Sequence, residues 1–406
     1  MRLSTSTSAR EMGPAQEMGP LGGITVVEMS GIGPGPFAGM MLADLGATVV
    51  RVDRLSGTQR GILSVLSEGR ADVVSRGRRS IAIDLKSADG VELVLKLVDS
   101  ADVLIEGYRP RVMERLGLGP DVCLERNPRL VFGRMTGWGQ EGPLSQAAGH
   151  DINYIAMSGA LGAIGRRGET PVPPLNLVGD YGGGGMLLAL GVLAALLSVA
   201  RTGVGQVVDA AMVDGSALLM AQFYGMSALG RWAEERGTNL LDTGAPFYDV
   251  YPCLHGGYLS VGPLEPAFFA ILLERLGILD IDPGSQYDVR SWPALRRRLA
   301  SEFASRTRTT AEELFADVDG CVFPVLSISE APQHPHNVAR ATFVTRDDVV
   351  QPAPAPRFSA TPTQLGLPPP AVGEHTDSVL ADLGISDDEV HALREAGVVG
   401  SAKLAG

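Results

Sequence analysis

Residues 22–53, GGITVVEMSGIGPGPFAGMMLADLGATVVRVD, decide the fold. ITVVEM is a β-branched apolar run and reads as a buried strand. GIGPGP is a turn, FAGMMLADLG has helical composition, and ATVVRVD is a second strand. A strand–helix–strand unit of this spacing implies a parallel sheet with a right-handed crossover. The pattern recurs downstream. SIAIDL (80–85) predicts a strand, DGVELVLKLVDS (89–100) a helix and ADVLIEG (101–107) a strand. A short helix over RVMERLG follows, then a strand over RLVFGRMTG (129–137). The first part of the chain is therefore α/β and doubly wound. GIGPGP imitates a dinucleotide fingerprint, but Pro36 stands where G-x-G-x-x-G needs glycine, and Pro34 removes an N–H that would meet a pyrophosphate. The turn is read as a tight strand–helix connection.

Residues 151–161 predict a helix, with apolar side chains at 152, 155, 156 and 160 or 161. PVPPLNLVG is extended, because consecutive prolines exclude a helix interior. A core helix is predicted to begin after Asp180 and to end near residues 201–205. Near Gly237 the pattern changes. GAPFYDVYPCLHGGYLSVG alternates around a Gly-Gly turn, as a β-hairpin does, and helical segments follow at 265–276, 292–305 and 310–316. The expected division is a large domain with a linker helix over 21–237, a smaller α+β domain over 238–330 and a terminal segment over 331–406. Residues 1–20 read as a disordered extension. Residues 351–370 are proline-rich and extended, and SDDEVHALREAG forms an amphipathic helix.

Composition narrows the function classes. The chain has 406 residues, 34 Lys and Arg against 46 Asp and Glu, and a formal charge of −12. An acidic balance argues against general nucleic-acid binding. The three cysteines are far apart with no C-x-x-C spacing, which points to a reducing compartment, here the cytoplasm, and to no structural zinc. The histidines lack metal-ligand spacing. No secretory signal is present in residues 1–20. Residues 181–200 are apolar but glycine- and alanine-rich, so they are read as a buried core helix and not as a membrane span.

Against this acidic background Arg51, Arg54, Arg76, Arg78, Arg79, Arg109 and Arg115 fall at or just beyond strand ends, where α/β sheets bind ligands. Guanidinium forks suit phosphates, so the set implies an anionic ligand with several phosphate groups. His150 and Asp180 each stand near the start of a predicted helix and form a candidate acid–base pair. Helix N-termini offer free N–H donors that stabilise an enolate oxygen. The plainer readings are a buried, hydrogen-bonded histidine and N-caps at Asp151 and Asp180. Glu265, before a helix in VGPLEP, is a third candidate; its plainer role is a first-turn glutamate.

Long runs of the chain resemble the family III CoA-transferase superfamily and, within it, the α-methylacyl-CoA racemases. They are EMSGIGPGPFAGMMLADLGATVVRVDR, RRSIAIDLK, ADVLIEGYRPRVMERLGLGP, RMTGWGQEGPLSQAAGHDINYIAMSGAL, PVPPLNLVGDYGGGG, GQVVDAAMVDGS, GAPFYDVYPC, YLSVGPLEPAFF and PAPRFS. The resemblance implies a Rossmann-like large domain, a smaller α+β domain, a C-terminal segment that returns to the large domain, and an interlocked homodimer. It implies an acyl-CoA substrate whose α-proton is removed and returned by His150 and Asp180 through an enolate. Glu265, from the partner chain, would orient His150, and the backbone N–H of Asp151 would receive the thioester oxygen. Arg54, Arg76, Arg79, Arg109 and Arg115 would meet the CoA phosphates, and Ile83 would line the adenine pocket. No metal or cofactor is implied, since CoA belongs to the substrate. The transferase members of the same superfamily use an aspartate nucleophile at the position of Asp151. That alternative stands beside racemisation, as does binding of acyl-CoA without turnover.

Overall fold

A computed structural model describes residues 19–55 and 69–400. Most of the expected N-terminal extension and most of the 56–75 loop lie outside the described residues. The strands are β1 (Thr25–Met29), β2 (Thr48–Arg54), β3 (Arg78–Ile83), β4 (Val103–Glu106), β5 (Val131–Thr136), β6 (Gln206–Ala211), β7 (Asp249–Pro252), β8 (Tyr258–Val261), β9 (Val322–Pro324), β10 (Phe343–Arg346), β11 (Val349–Pro352) and β12 (Val399–Gly400). The helices used below are α1 (Pro34–Asp44), α2 (Ala88–Ser100), α3 (Val112–Arg115), α4 (Pro120–Arg126), α5 (Asp151–Met157), α6 (Ala160–Ala163), α7 (Leu187–Thr202), α8 (Met212–Leu219), α9 (Ala221–Ala228) and α10 (Pro266–Arg275). Further on come α11 (Trp292–Ala304), α12 (Arg308–Phe315), α13 (Pro335–Arg340), α14 (Thr376–Asp382) and α15 (Asp387–Glu395).

The chain divides into two compact units. The first holds the chain up to Ser158, Leu175–Leu219 and the chain from Ala341; the second holds Gly159–Pro174 and Met220–Arg340. The first unit is organised by one sheet of order β12-β3-β2-β1-β4-β5-β6, parallel throughout except for β12. The order reverses between β1 and β4, and the carboxyl ends of strands at such a point form a ligand crevice. Both faces are covered. Ile81, Ile83, Leu104 and Phe132 meet α2, α4, α14 and α15 on one side; Val26, Val49, Ile105 and Val131 meet α1, α5 and α7 on the other. Full burial explains why these strands read as apolar runs without alternation. Helix α7 turns Leu188, Ala189, Val192, Ala195 and Val199 inward, while Leu190 and Leu197 are 63% and 67% exposed. Leu177–Thr202 is long and apolar enough to cross a membrane by length and composition, yet one side of it is core.

The C-terminal chain adds β12 beside β3. Thr376 Oγ1 accepts from the Ala82 N–H and donates to the Gly400 carbonyl, closing that edge. The hairpin β10–β11 is pinned by Arg76, whose guanidinium bonds Asp44 at the end of α1 together with Gln351 and the Pro352 carbonyl. Arg78 is fully buried. It pairs with Glu28 of β1 at 2.9 Å and donates to the carbonyls of Pro36, Val74 and Arg76.

In the second unit β7, β8 and β9 form an antiparallel sheet over a core of Phe247, Phe269, Leu272, Leu299 and Phe303. The hairpin and three helices lie near their predicted places. The boundaries do not, because the unit starts at Met220, not near 238, runs to Arg340, and takes in Gly159–Pro174. Arginine contacts tie Gly159–Pro174 to this unit. Arg166 bonds Asp249 at 2.8 Å, Arg167 bonds Glu235 at 2.9 Å, and Arg236 donates to the carbonyls of Gly162 and Glu169.

Removing the Arg78 head group leaves Glu28 buried without its counter-charge and several carbonyls without donors. Arg78→Ala should lower unfolding stability by about 3–5 kcal/mol, as removing one partner of a buried pair does. Urea denaturation measures this; an unchanged midpoint would contradict the structural role.

Candidate active site

His150 is the residue before α5, with an extended backbone. Its N–H donates to Asn153 Oδ1 at 3.0 Å, and its carbonyl accepts from the Asn153 N–H at 2.8 Å, which fixes the main chain and leaves the imidazole exposed. One turn on, the buried Tyr154 donates its hydroxyl to the Gly149 carbonyl, and its ring meets Trp138 edge-on at 4.8 Å. The start of α5 is thereby anchored to the loop that follows β5.

Asp180 is not at the start of a regular helix. It lies inside a π-helical segment, Leu177–Met186, whose N-cap residue is Asn176. The run of four glycines accounts for the difference: without Cβ atoms this wide turn packs its backbone directly on α1 and α8. The Asp180 N–H donates to Asp151 Oδ1 at 2.7 Å, and Asn176 Nδ2 donates to Asp180 Oδ2 at 3.0 Å. A Cβ on Gly179 would come within 2.4 Å of Asp151 Oδ1, so only glycine permits the approach. Gly33, at φ 71°, faces the same carboxyl, its Cβ position 3.2 Å from Asp180 Oδ2. Asp180 is thus placed against the turn after β1, beside the crevice between β1 and β4.

Burial pushes the Asp180 carboxyl above its ordinary range. The Asn176 hydrogen bond and the nearby His150 imidazole oppose the shift, and the charge of Asp151 adds to it. His150, Asp151 and Asp180 therefore form one electrostatic cluster. Asp151 is 6% exposed, and its Oδ2 is buried with no hydrogen-bond partner among the described residues. Glu265 stands in the second unit, exposed before α10 and making no side-chain cap. Among the described residues no group of three or more His, Cys, Asp or Glu is placed to hold a metal.

The arginines separate into two kinds. Arg51 pairs with Asp53, Arg76 with Asp44, Arg78 with Glu28 and Arg79 with Asp382. Arg76 is 3% exposed and its guanidinium is taken up by Asp44, Gln351 and the Pro352 carbonyl, so it is withdrawn from the phosphate set. Ile83 is 0% exposed within the core and offers no surface to an adenine. Arg54, Arg109 and Arg115 have no carboxylate partner among the described residues; Arg54 lies over the Tyr108 ring at 5.7 Å. Burial pushes the Tyr154 phenol above its ordinary range, with Asp180 adding to the shift and Arg109 opposing it. The loop bearing Arg109 to Arg115 is held by Arg134, which bridges buried Glu106 at 3.0 Å and Glu114 at 2.8 Å. Burial raises the Glu106 carboxyl to about 7 despite that contact. Arg111, Arg115, Gln140, Ser145 and Gln146 line a cleft of ≈ 390 Å³.

Sequence reasoning missed Asn176, Tyr154 and Arg111. Asn176 precedes Asp180 by four residues, a helical spacing that the prolines at 171, 173 and 174 conceal. Tyr154 and Arg111 carry no local signal.

A CoA-transferase family III model matches residues 21–376. The chain belongs to CoA-transferase family III. It is 44% identical to Alpha-methylacyl-CoA racemase of Mus musculus over 386 residues and 42% identical to the Homo sapiens protein of that name over 388, covering 95% of this chain and 98% of each relative. A CAIB/BAIF family protein from Brucella suis shares the fold, with TM-score 0.76 and 26% identity over 90% of this chain and 100% of that one. Family III membership makes a CoA thioester the ligand to test against the unpaired arginines. Arg109→Ala should weaken CoA binding about tenfold or more, as loss of one charge-assisted contact does, and the loss should shrink as salt rises. Calorimetry reads both; an unchanged Kd would remove Arg109 from the site.

Proposed function

We propose that this family III protein is an α-methylacyl-CoA racemase. It interconverts (R)- and (S)-2-methylacyl-CoA thioesters by 1,1-proton transfer through an enolate. The observation that carries this reading is the clustering of His150 and Asp180, on separate elements, around the buried Asp151. One group removes the α-proton and the other delivers a proton to the opposite face. The likeness to two racemases over almost their whole length supports the same reaction.

An α-proton of a thioester is weakly acidic, so the enolate must be stabilised as it forms. First-turn N–H groups of a helix have no intrahelical acceptor, and the Asp151 N–H at the start of α5 is the donor assigned to the thioester oxygen. A positioned acid or base contributes about 10²–10⁴-fold. The elevated Asp180 carboxyl suits this work, since a base with an affinity for protons nearer neutrality also returns them. Arg54, Arg109 and Arg115, and Arg79 once released from its exposed partner Asp382, hold the CoA phosphates.

Asp151 also bears on the transferase alternative. An acyl anhydride needs an accessible carboxylate oxygen, whereas Oδ1 accepts from the Asp180 N–H and Oδ2, though without a partner, is buried. The racemase reading extends to an interlocked homodimer in which Glu265 of the partner subunit orients His150; the exposed Leu190 and Leu197 of α7 give such a dimer apolar surface to cover. The chemistry requires no added cofactor.

A single epimer of 2-methylacyl-CoA incubated in D₂O should racemise and take up α-deuterium. Absence of exchange together with transfer of CoA to a free acid would replace racemase with transferase.

A further inference from the structure

The Asp151 side chain is unused by the proton transfers themselves, yet it is the more buried carboxylate of the cluster. We infer that Asp151 is a positioning residue for Asp180: its carboxylate anchors the Asp180 backbone and keeps a buried negative charge beside the Asp180 side chain. The inference rests on the racemase reading for its consequence in turnover, and on geometry for the contact itself.

Three observations carry it. The Asp180 N–H bonds Asp151 Oδ1 at 2.7 Å, joining the π-helical segment to the first residue of α5. Gly179 leaves no Cβ between them. Asp151 Oδ2 is buried without a donor, and no arginine or lysine is paired with Asp151 among the described residues. An uncompensated carboxylate favours the protonated form of a neighbouring carboxyl.

Other groups on the elements packed around Asp180 do not substitute for it. At α5 the remaining titratable groups are His150, just before the helix, which acts in the opposite direction, and Tyr154, bonded to Gly149. Asp44 of α1 is held by Arg76, and Arg134 of β5 by Glu106 and Glu114. Asp214 of α8 is exposed, Asp209 of β6 accepts from the Gln140 N–H, and Arg201 is at the far end of α7. The burial of Asp180 and the charge of Asp151 push its carboxyl up together.

Asp151→Asn separates the two roles, because the amide oxygen still accepts from the Asp180 N–H while the charge is gone. With less repulsion the ionised form of Asp180 is favoured, so its midpoint falls. Infrared difference titration reads this without turnover, the Asp180 band being assigned by its loss in Asp180→Asn. The acidic limb of kcat should move in the same direction, with KM changed less than kcat. Asp151→Ala should shift the midpoint similarly and additionally cut kcat, because the backbone tie is lost. A midpoint identical in wild type and a folded Asp151→Asn would overturn the inference. A shifted midpoint in a protein that exchanges no α-proton would keep the contact and remove the racemase reading instead.

Discussion

The hydrogen bond from the Asp180 N–H to Asp151 Oδ1 is the contact on which the site depends. It joins two elements that enter the first unit from separate parts of the chain, α5 after β5 and the π-helical segment ahead of α7. Each end is prepared. Tyr154 and Trp138 fix the start of α5, and glycines let the π-helical segment lie directly on α1 and α8. Burial then turns a positional contact into an electrostatic one, since two carboxylates in a poorly solvated place resist being ionised together.

The arginines show the same economy of placement. At sequence level they form one basic set. In the fold, Arg76 and Arg78 are internal ties, each gathering a carboxylate and backbone carbonyls that would otherwise be buried unpaired. They hold α1, the turns over 69–75 and the β10–β11 hairpin to the sheet. Arg54 at the end of β2, and Arg109 and Arg115 beyond β4, keep no carboxylate partner among the described residues. Arg134 is buried at one end against Glu106 and at the other reaches Glu114 of α3, the helix that carries Arg115.

Much of this was legible in the sequence. The buried runs ITVVEM and ATVVRVD flank a helix and could pack only as parallel strands, and the alternation around His255–Gly257 marked the hairpin. His150 and Asp180 were recognisable as acid–base types near helix starts. What escaped depends on long-range contacts. Nothing local tells Arg78 from Arg79, although one is wholly buried and the other reaches an exposed aspartate. The stretch Gly159–Pro174 joins the second unit through Arg166 and Asp249, 83 residues apart. The π-helical geometry around Asp180 arises from packing of a glycine run, which composition alone presents as a flexible turn. Asp151 reads as a helix cap whose N–H meets the thioester oxygen, or as a transferase nucleophile; the contact of its side chain with the Asp180 N–H appears only once the two segments are brought together.

The central claim is that His150 and Asp180 act on opposite faces of one α-carbon. Epimer-resolved α-proton exchange in His150→Ala and Asp180→Ala tests it most directly. Each variant should lose racemisation but keep exchange with one epimer, and the two variants should keep opposite epimers. Exchange lost with both epimers in each variant, or racemisation retained in either, would contradict the two-base account.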